Sequence, residues 1–185
     1  MISNLIKNGI NGTPIIPGDK SISHRSVIIP SISNGICEID NILKSEDVLH
    51  TINALKKMGV KIEEVSKKLI IQGKGLNSLK KPTEEIFLGN SGTSARLLTG
   101  LLSSQKFDSI LKGDQSLSKR PMGRIADPLN NMNAKINTSN GTLPITIKGN
   151  ELKATNIDLK IPSAQIKSGI MLASLNTEGE TYIIE

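Results

Sequence analysis

The sequence predicts a mixed α/β fold, of the α+β kind, built from repeated β-α-β-α-β-β units. Three segments each join a small polar loop to a basic residue and then to an apolar stretch, namely SISHRSVIIPSISNG from Ser21, SGTSARLLTGLLSSQ from Ser91 and SAQIKSGIMLASLNTEG from Ser163. Their spacing is regular, since Arg25, Arg96 and Lys167 are separated by 96 − 25 = 71 and 167 − 96 = 71 positions. A fixed period indicates a repeat architecture, so we expect one structural unit around each loop.

Each unit is predicted to open with a strand, a polar loop, a short helix and a second strand. Short runs rich in β-branched residues and bounded by turn-forming residues indicate strands. The first strands are TPII at 13–16, EEIFLG at 84–89 and IDLKI at 157–161, and the second strands are GICEID from Gly35, KFDSIL from Lys106 and GETYIIE from Gly179.

A longer amphipathic helix follows in the first two units. In SEDVLHTINALKKMG, Ser45 is the predicted N-cap and Gly59 the end of the helix, and one face carries Val48, Leu49, Ile52, Leu55 and Met58. In the second unit Pro121 is predicted to start the helix, because proline suits the first helical position, and the apolar stripe comprises Ile125, Leu129 and Met132.

The first two units are predicted to close with a pair of strands. These are GVKIEEV with KLIIQG, and AKINTS with LPITIKG across the turn Asn140-Gly141. The third unit stops at Glu185, inside its second strand, without the longer helix or closing pair. Because a repeat unit does not bury its apolar face alone, we expect the chain to be a fragment or one part of a larger assembly.

Composition and charge favour a small anionic ligand. Lys and Arg number 23 against 17 Asp and Glu, a net charge of +6. Nucleic-acid binding through stacked bases is not expected, because the aromatic residues are only Phe87, Phe107 and Tyr182. The sequence contains neither a membrane-spanning apolar run nor a secretory signal, so we expect a cytoplasmic protein without membrane association. The single Cys37 has no partner for a disulfide or zinc site, and no metal is expected.

Three basic loops are the candidate ligand sites. The loop PGDKSISHR carries Lys20 and Arg25, GNSGTSAR carries Arg96, and SLSKRPMGR carries Arg120 and Arg124. If the units pack with threefold pseudo-symmetry, the helix N-termini that follow the loops converge, and their backbone N–H groups and partial positive charge would bind an anion. Taken singly, each loop could also be a plain turn or a solvated run of charge.

The strings PGDKSISHR, GNSGTSARLL, GDQSLSKRPMGR and PSAQIKSGIMLASL resemble, in order and spacing, successive motifs of the 5-enolpyruvylshikimate-3-phosphate synthases. The resemblance runs across nearly the whole chain but covers less than half of a family member. It implies an enolpyruvyl transferase-like fold of two domains, each with three units around a pseudo-threefold axis. By this resemblance residues 1–17 would start the first, discontinuous domain, and residues 18–185 would form most of the second.

The resemblance also implies an activity, with no metal or organic cofactor. These enzymes protonate the methylene carbon of phosphoenolpyruvate, add the 5-hydroxyl of shikimate 3-phosphate and then release phosphate, and they are typically monomers. Lys20 would contact both substrates, and the residues implied for phosphoenolpyruvate are Asn90, Gly92, Thr93 and Arg120. Those implied for shikimate 3-phosphate are Ser21, Arg25, Ser163, Ala164 and Gln165. An Asp base and further basic residues would come from the later half of the enzyme.

Ala164 and Gly92 vary within this family. Ala164 stands where many members have serine, so a backbone N–H would replace that hydroxyl. Gly92 is where some members carry alanine and resist glyphosate, so we expect the complete enzyme to be inhibited by that compound.

Two other functions stay open from the sequence. One is transfer of enolpyruvyl to UDP-N-acetylglucosamine, although that sister family has Asn after the first-loop Lys, where this chain has Ser21, and a Cys in a mobile loop. The other is a non-catalytic anion-binding module.

Overall fold

The computed structural model describes residues 12–185, so much of the expected start of the first domain, residues 1–17, lies outside the described residues. The first unit comprises α1 (Lys20–Ser31), β1 (Asn34–Ile39), α2 (Glu46–Lys57), β2 (Lys61–Val65) and β3 (Lys68–Lys74). Its strands form an antiparallel sheet in the order β1-β3-β2. The predicted closing pair of strands is therefore confirmed in this unit.

The strand predicted at 13–16 is wrong. This segment pairs with no strand among the described residues, and Ile15 and Ile16 are exposed. Pro14 and Pro17 explain the difference, because proline has no backbone N–H to donate to a neighbouring strand.

Helix α2 follows its predicted pattern except at two positions. Val48, Ile52 and Leu55 are buried. Leu49 is 42% exposed, because adjacent residues of a helix point about 100° apart and Val48 already faces the core. Ser45 occupies the N-cap position, but its side chain makes no capping hydrogen bond.

The second unit shows the full predicted order of elements. It contains β4 (Ile86–Phe87), α3 (Gly92–Ser103), β5 (Ser109–Lys112), a short 3-10 helix (Leu117–Lys119), α4 (Gly123–Asn131), β6 (Lys135–Ser139) and β7 (Thr142–Lys148). The sheet order is β4-β5-β7-β6, with β4 parallel to β5 and the other pairs antiparallel. Asn140 and Gly141 both have positive φ, which fits the predicted hairpin turn.

Pro121 does not start α4 as predicted. The helix begins at Gly123, and Met122 is its N-cap. The Met122 N–H donates to the carbonyl oxygen of Gly141 at 2.7 Å, so the hairpin turn holds the chain at Met122 and the helix begins two residues later than predicted.

The third unit consists of β8 (Asn156–Asp158), α5 (Ala164–Ser174) and β9 (Tyr182–Ile184). Strands β8 and β9 are parallel, as are β4 and β5 around α3. The repeated β-α-β arrangement is therefore present in both units. No helix in residues 12–185 is both long enough and apolar enough to cross a bilayer.

Helix α3 lies at the centre of the fold and packs closely against α5. Nearly every residue of α3 is buried. A Cβ placed on Gly100 of α3 would lie 1.9 Å from the carbonyl oxygen of Gly169 in α5, so the two backbones approach as closely as glycine permits. This close approach brings side chains at the first turns of the two helices into contact.

Candidate functional site

The helices that follow the three repeated loops start with the same kind of side-chain cap. In each, the residue before the helix accepts a hydrogen bond from the backbone N–H three positions later, and the pairs are Asp19 with Ile22 at 2.7 Å, Ser91 with Ser94 at 3.2 Å and Ser163 with Ile166 at 3.5 Å. The cap fixes the direction in which each helix begins, and the neighbouring N–H groups of the first turn have no intrahelical acceptor.

Gln165 connects the first turns of α5 and α3. Its Nε2 donates to Thr93 Oγ1 at 2.9 Å, and its Oε1 accepts from Arg96 Nη1 at 3.0 Å. One amide thus bonds a hydroxyl and a guanidinium from the neighbouring unit. Thr93 and Gln165, both expected to bind substrate, therefore lie side by side.

Arg120 reaches the start of α3 from the 3-10 helix that precedes α4. Its Nη2 donates to Asn90 Oδ1. A Cβ on Gly92 would lie 3.0 Å from Arg120 Nη1 and 2.8 Å from Arg96 Nη1. Two guanidinium groups therefore flank Gly92, and the predicted residues Asn90, Gly92 and Arg120 form one cluster with Arg96.

Arg25 of α1 approaches the same helix, α5. Its Nη2 donates to Ser168 Oγ at 2.7 Å, and its Nη1 donates to the carbonyl oxygen of Ser21 at 3.0 Å. Ser168 lies three residues after Gln165, so Arg25 and Arg96 contact neighbouring positions on one face of α5. Ser21 is exposed at the start of α1 and is joined to Arg25 through its backbone.

Lys20 points towards α2 instead of the arginine cluster. Its Nζ lies 3.0 Å from Asp47 Oδ2, and half of the Lys20 side chain is exposed. Within residues 12–185 its side chain bonds to no other predicted site residue. Lys20 is thus connected to the site through α1, which also carries Arg25, and not by a bond of its own side chain.

Ser163 and Ala164 lie at the N-terminus of α5, as expected from the sequence. Ser163 is half-buried and Ala164 is exposed. The Glu185 carboxylate accepts from the Ser163 N–H at 3.3 Å and pairs with Lys167, the basic residue of the third repeat. The Lys167 hydrogen bond lowers the pKa of Glu185 below its ordinary value. A carboxylate is therefore already bound at this helix start.

The arginines and lysines of the chain have different partners. Within residues 12–185 the ion pairs are all formed by lysines. The arginines Arg25, Arg96, Arg120 and Arg124 bond only to neutral oxygens. Burial, and then the charges of Arg120 and Arg124, lower the pKa of Arg96. The site is thus a cluster of cations whose charge no carboxylate of the described chain neutralises.

Arg96, Asp47 and Ser168 were not among the residues assigned to a particular substrate. Arg96 was expected only as part of a general anion site and not for a particular substrate, and it touches Gln165 and flanks Gly92. Asp47 and Ser168 carried no sequence signal, because each meets its partner across a helix interface. Among residues 12–185, no group of three or more His, Cys, Asp or Glu side chains is placed to hold a metal ion.

Fold and site together define a basic domain of repeated β-α-β-α-β-β units that presents arginines at helix N-termini, an arrangement suited to phosphorylated or carboxylated small molecules. A family model for EPSP synthase (3-phosphoshikimate 1-carboxyvinyltransferase) matches residues 6–185. The chain belongs to this family, as its loop motifs indicated.

Individual relatives show the same similarity. The chain is 52% identical to a 3-phosphoshikimate 1-carboxyvinyltransferase of Ruthia magnifica and 49% identical to that of Leuconostoc mesenteroides. These matches cover 96% and 97% of the chain but only 41% and 42% of the relatives. The solved EPSP synthase from Acinetobacter baumannii superposes with a TM-score of 0.91 and 49% identity, over 94% of this chain and 40% of that one. The predicted fold class is confirmed, and the chain spans about two fifths of its relatives.

Proposed function

We propose that the chain supplies the acceptor-binding domain of a 3-phosphoshikimate 1-carboxyvinyltransferase. This enzyme would transfer the enolpyruvyl group of phosphoenolpyruvate to the 5-hydroxyl of shikimate 3-phosphate and release phosphate. One observation carries the proposal: the arginines from three loops meet at the starts of α3 and α5 without a carboxylate partner. Two substrates that each carry a phosphate and a carboxylate would provide the missing negative charge.

Phosphoenolpyruvate would bind at the start of α3. Arg120 and Arg96 flank Gly92, whose lack of a side chain leaves room for an anion against the backbone. The amide of Asn90 and the hydroxyl of Thr93 lie in direct contact with this cluster through Arg120 and Gln165. A planar guanidinium can donate two parallel hydrogen bonds to a carboxylate or phosphate, so paired arginines would fix the orientation of the enolpyruvyl group.

Shikimate 3-phosphate would bind between the starts of α1 and α5. Ser21 and Arg25 would contact its ring and carboxylate from α1. Ser163, Ala164 and Gln165 would contact its phosphate from the N-terminus of α5, where the Glu185 carboxylate accepts a backbone hydrogen bond. This position would place the acceptor beside phosphoenolpyruvate, because Gln165 bonds to residues of both helices.

Lys20 would reach both substrates once it leaves Asp47. The pair is partly exposed, so the Coulomb energy that holds it is small, and a substrate phosphate would compete for the ammonium group. Holding both substrates would supply proximity and would stabilise the charge that develops at the reacting carbon. The acid and base of the reaction would come from the later half of the enzyme.

The domain division, location and ligands of the complete enzyme are proposed by analogy with the family. Residues 1–17 would begin the first domain and residues 18–185 would form most of the second. The complete enzyme would act as a cytoplasmic monomer, with small molecules as its ligands and without nucleic acid, membrane or metal.

A chimera tests this proposal. The 185-residue chain would be joined to the unmatched remainder of the Ruthia magnifica relative, and phosphate release from phosphoenolpyruvate would be measured with either acceptor. We expect turnover with shikimate 3-phosphate and none with UDP-N-acetylglucosamine. Arg120→Met should raise KM for phosphoenolpyruvate, and Lys57→Met, which removes a remote exposed charge, should not. Turnover with UDP-N-acetylglucosamine alone would assign the chain to the sister activity, and a folded chimera inactive with both acceptors would refute the proposal.

A further inference from the structure

A buried series of hydrogen bonds connects α1 to the start of α3 through α2. His24 Nδ1 lies 2.8 Å from Thr51 Oγ1, and Thr51 Oγ1 lies 2.6 Å from Ser94 Oγ. Ser94 Oγ in turn lies 2.5 Å from Ser91 Oγ. All four side chains belong to residues with no exposed surface. None of these four residues was expected to bind a ligand, and none is used in the function proposed above.

The two ends of this series lie next to the two candidate substrate loops. His24 immediately precedes Arg25 on α1. Ser91 is the N-cap of α3 and stands between Asn90 and Gly92. The series therefore connects the loop assigned to shikimate 3-phosphate with the loop assigned to phosphoenolpyruvate.

Thr51 is the essential link because it has a partner on either side. Its hydroxyl bonds to His24 and to Ser94, and removing it would leave both partners buried without this hydrogen bond. The bond to Thr51 is the side-chain hydrogen bond that holds the His24 ring, since the other ring nitrogen, Nε2, is buried and has no partner among the described residues. Ser94 would keep its bond to Ser91 and a longer one, at 3.4 Å, to the Asp47 carbonyl oxygen of α2, but would lose its connection to α1.

The imidazole takes part in these bonds as a neutral group. Burial is the main cause that lowers the pKa of His24 from 6.5 to about 4, with smaller effects of the nearby charges. Asp47 acts in the opposite direction, and Lys20 and Arg25 add to the lowering. At neutral pH the ring therefore carries one proton and can both donate and accept.

We propose that His24, Thr51 and Ser94 are positioning residues that hold the phosphoenolpyruvate loop at a fixed place relative to Lys20 and Arg25. They touch no substrate. Their effect would be transmitted through Ser91, which sets the direction of the Asn90–Gly92 backbone. The identity of the ligand rests on the proposed function, whereas the coupling between the loops rests on the hydrogen bonds alone.

The test compares Thr51→Val with a matched control, Thr99→Val. Both threonines are fully buried in helices, but the Thr99 hydroxyl bonds only to its own helix, at the Ala95 carbonyl oxygen, 2.6 Å away. Amide hydrogen exchange of residues 90–95 is measured first, on the 185-residue chain without ligand. We expect faster exchange in Thr51→Val, recovery in Thr51→Ser, and little change in Thr99→Val.

The KM for phosphoenolpyruvate of the chimera described above, at saturating shikimate 3-phosphate, is the second measurement. We expect this KM to rise about tenfold in Thr51→Val and to recover in Thr51→Ser. The affinity for shikimate 3-phosphate should stay within about twofold, because a loss of one hydroxyl at α2 leaves Arg25 and Gln165 in place.

The two measurements separate this inference from the proposed function. Unchanged exchange in Thr51→Val, or equal changes in Thr51→Val and Thr99→Val, would overturn the coupling. Altered exchange with an unaltered KM for phosphoenolpyruvate would overturn the positioning role. If the unmodified chimera were folded but inactive, the proposed function would fail, and the exchange data would still decide whether the loops are coupled.

Discussion

Gln165 donates to Thr93 across the interface between α5 and α3, at 2.9 Å, although the two residues are 72 positions apart in the sequence. The same amide accepts from Arg96. Two repeated units therefore meet through one neutral side chain at the place where the helix N-termini and the arginines gather. A neutral bridge leaves the positive charge of Arg96 available to a ligand.

Gln165→Glu should change stability and binding in opposite directions. A carboxylate here would accept from Arg96 and from the Thr93 hydroxyl, so we expect the free energy of unfolding to rise by about 1 kcal/mol. Affinity for shikimate 3-phosphate should fall about tenfold, because the new charge repels the ligand's phosphate. Denaturant unfolding and calorimetric titration measure the two effects. Gln165→Leu, the control, should lower both, and undiminished affinity in Gln165→Glu would contradict the assignment.

Gly92→Ala should affect binding more than folding. The added methyl would meet the ends of two flexible arginine side chains, so we expect stability to change by less than about 1 kcal/mol. Displacing these guanidiniums should weaken phosphoenolpyruvate binding about tenfold. In the chimera, glyphosate should inhibit the Gly92 form more strongly than the alanine form. Gly12→Ala, where a Cβ has no neighbour within 4 Å, should change neither property. Equal ligand affinities in the two alanine variants would count against the site.

Gly100→Ala should destabilise the fold severely. The methyl would overlap the backbone of Gly169, and backbone cannot move aside as a side chain can, so α3 and α5 would have to separate. We expect a loss of about 3 kcal/mol in the free energy of unfolding, measured by denaturant titration. The same substitution at Gly92 is the control, and a Gly100→Ala chain as stable as the parent would show that the helices do not pack this closely.

His24 should make stability depend on pH between about 4 and 6.5. In this range the unfolded chain binds a proton at His24 and the folded chain does not, so unfolding is favoured as pH falls. The stability contributed by the neutral ring is fully present above pH 6.5 and should decline by about 3 kcal/mol towards pH 4. Comparing the unfolding free energies of the parent and His24→Asn at several pH values isolates this effect from titrating carboxylates. Parallel curves for the two chains would refute it.

The helices and most strands could be predicted from the sequence, because they depend on local residue patterns. The period of the basic loops located α1, α3 and α5, and strand-forming runs located most strands, because both signals are set by residues close together in the chain. The prediction of a strand at 13–16 was wrong because it relied on apolar residues and ignored the prolines, which have no backbone N–H for strand pairing. The prediction that Leu49 would be buried was wrong because the five residues assigned to one face of α2 span more of the helix surface than the interface covers.

The contacts across the site could not be predicted in the same way. His24 meets Thr51 across 27 positions, and Thr51 meets Ser94 across 43, with no motif that relates them. Such contacts depend on how three helices pack. Family resemblance supplied the candidate ligands and the repeat supplied Arg96, whereas Asp47 and Ser168 came from the structure alone.

Calorimetric titration of the 185-residue chain with shikimate 3-phosphate would decide whether the arginine cluster forms the acceptor site. We predict saturable binding with about one ligand per chain, no binding of UDP-N-acetylglucosamine, and loss of binding in Arg25→Met. Lys57→Met, which removes the same charge from an exposed pair with Glu84, should bind as the parent does. Absence of binding by the folded parent chain, or an equal loss in Arg25→Met and Lys57→Met, would contradict the claim that the arginine cluster of this chain forms the acceptor site.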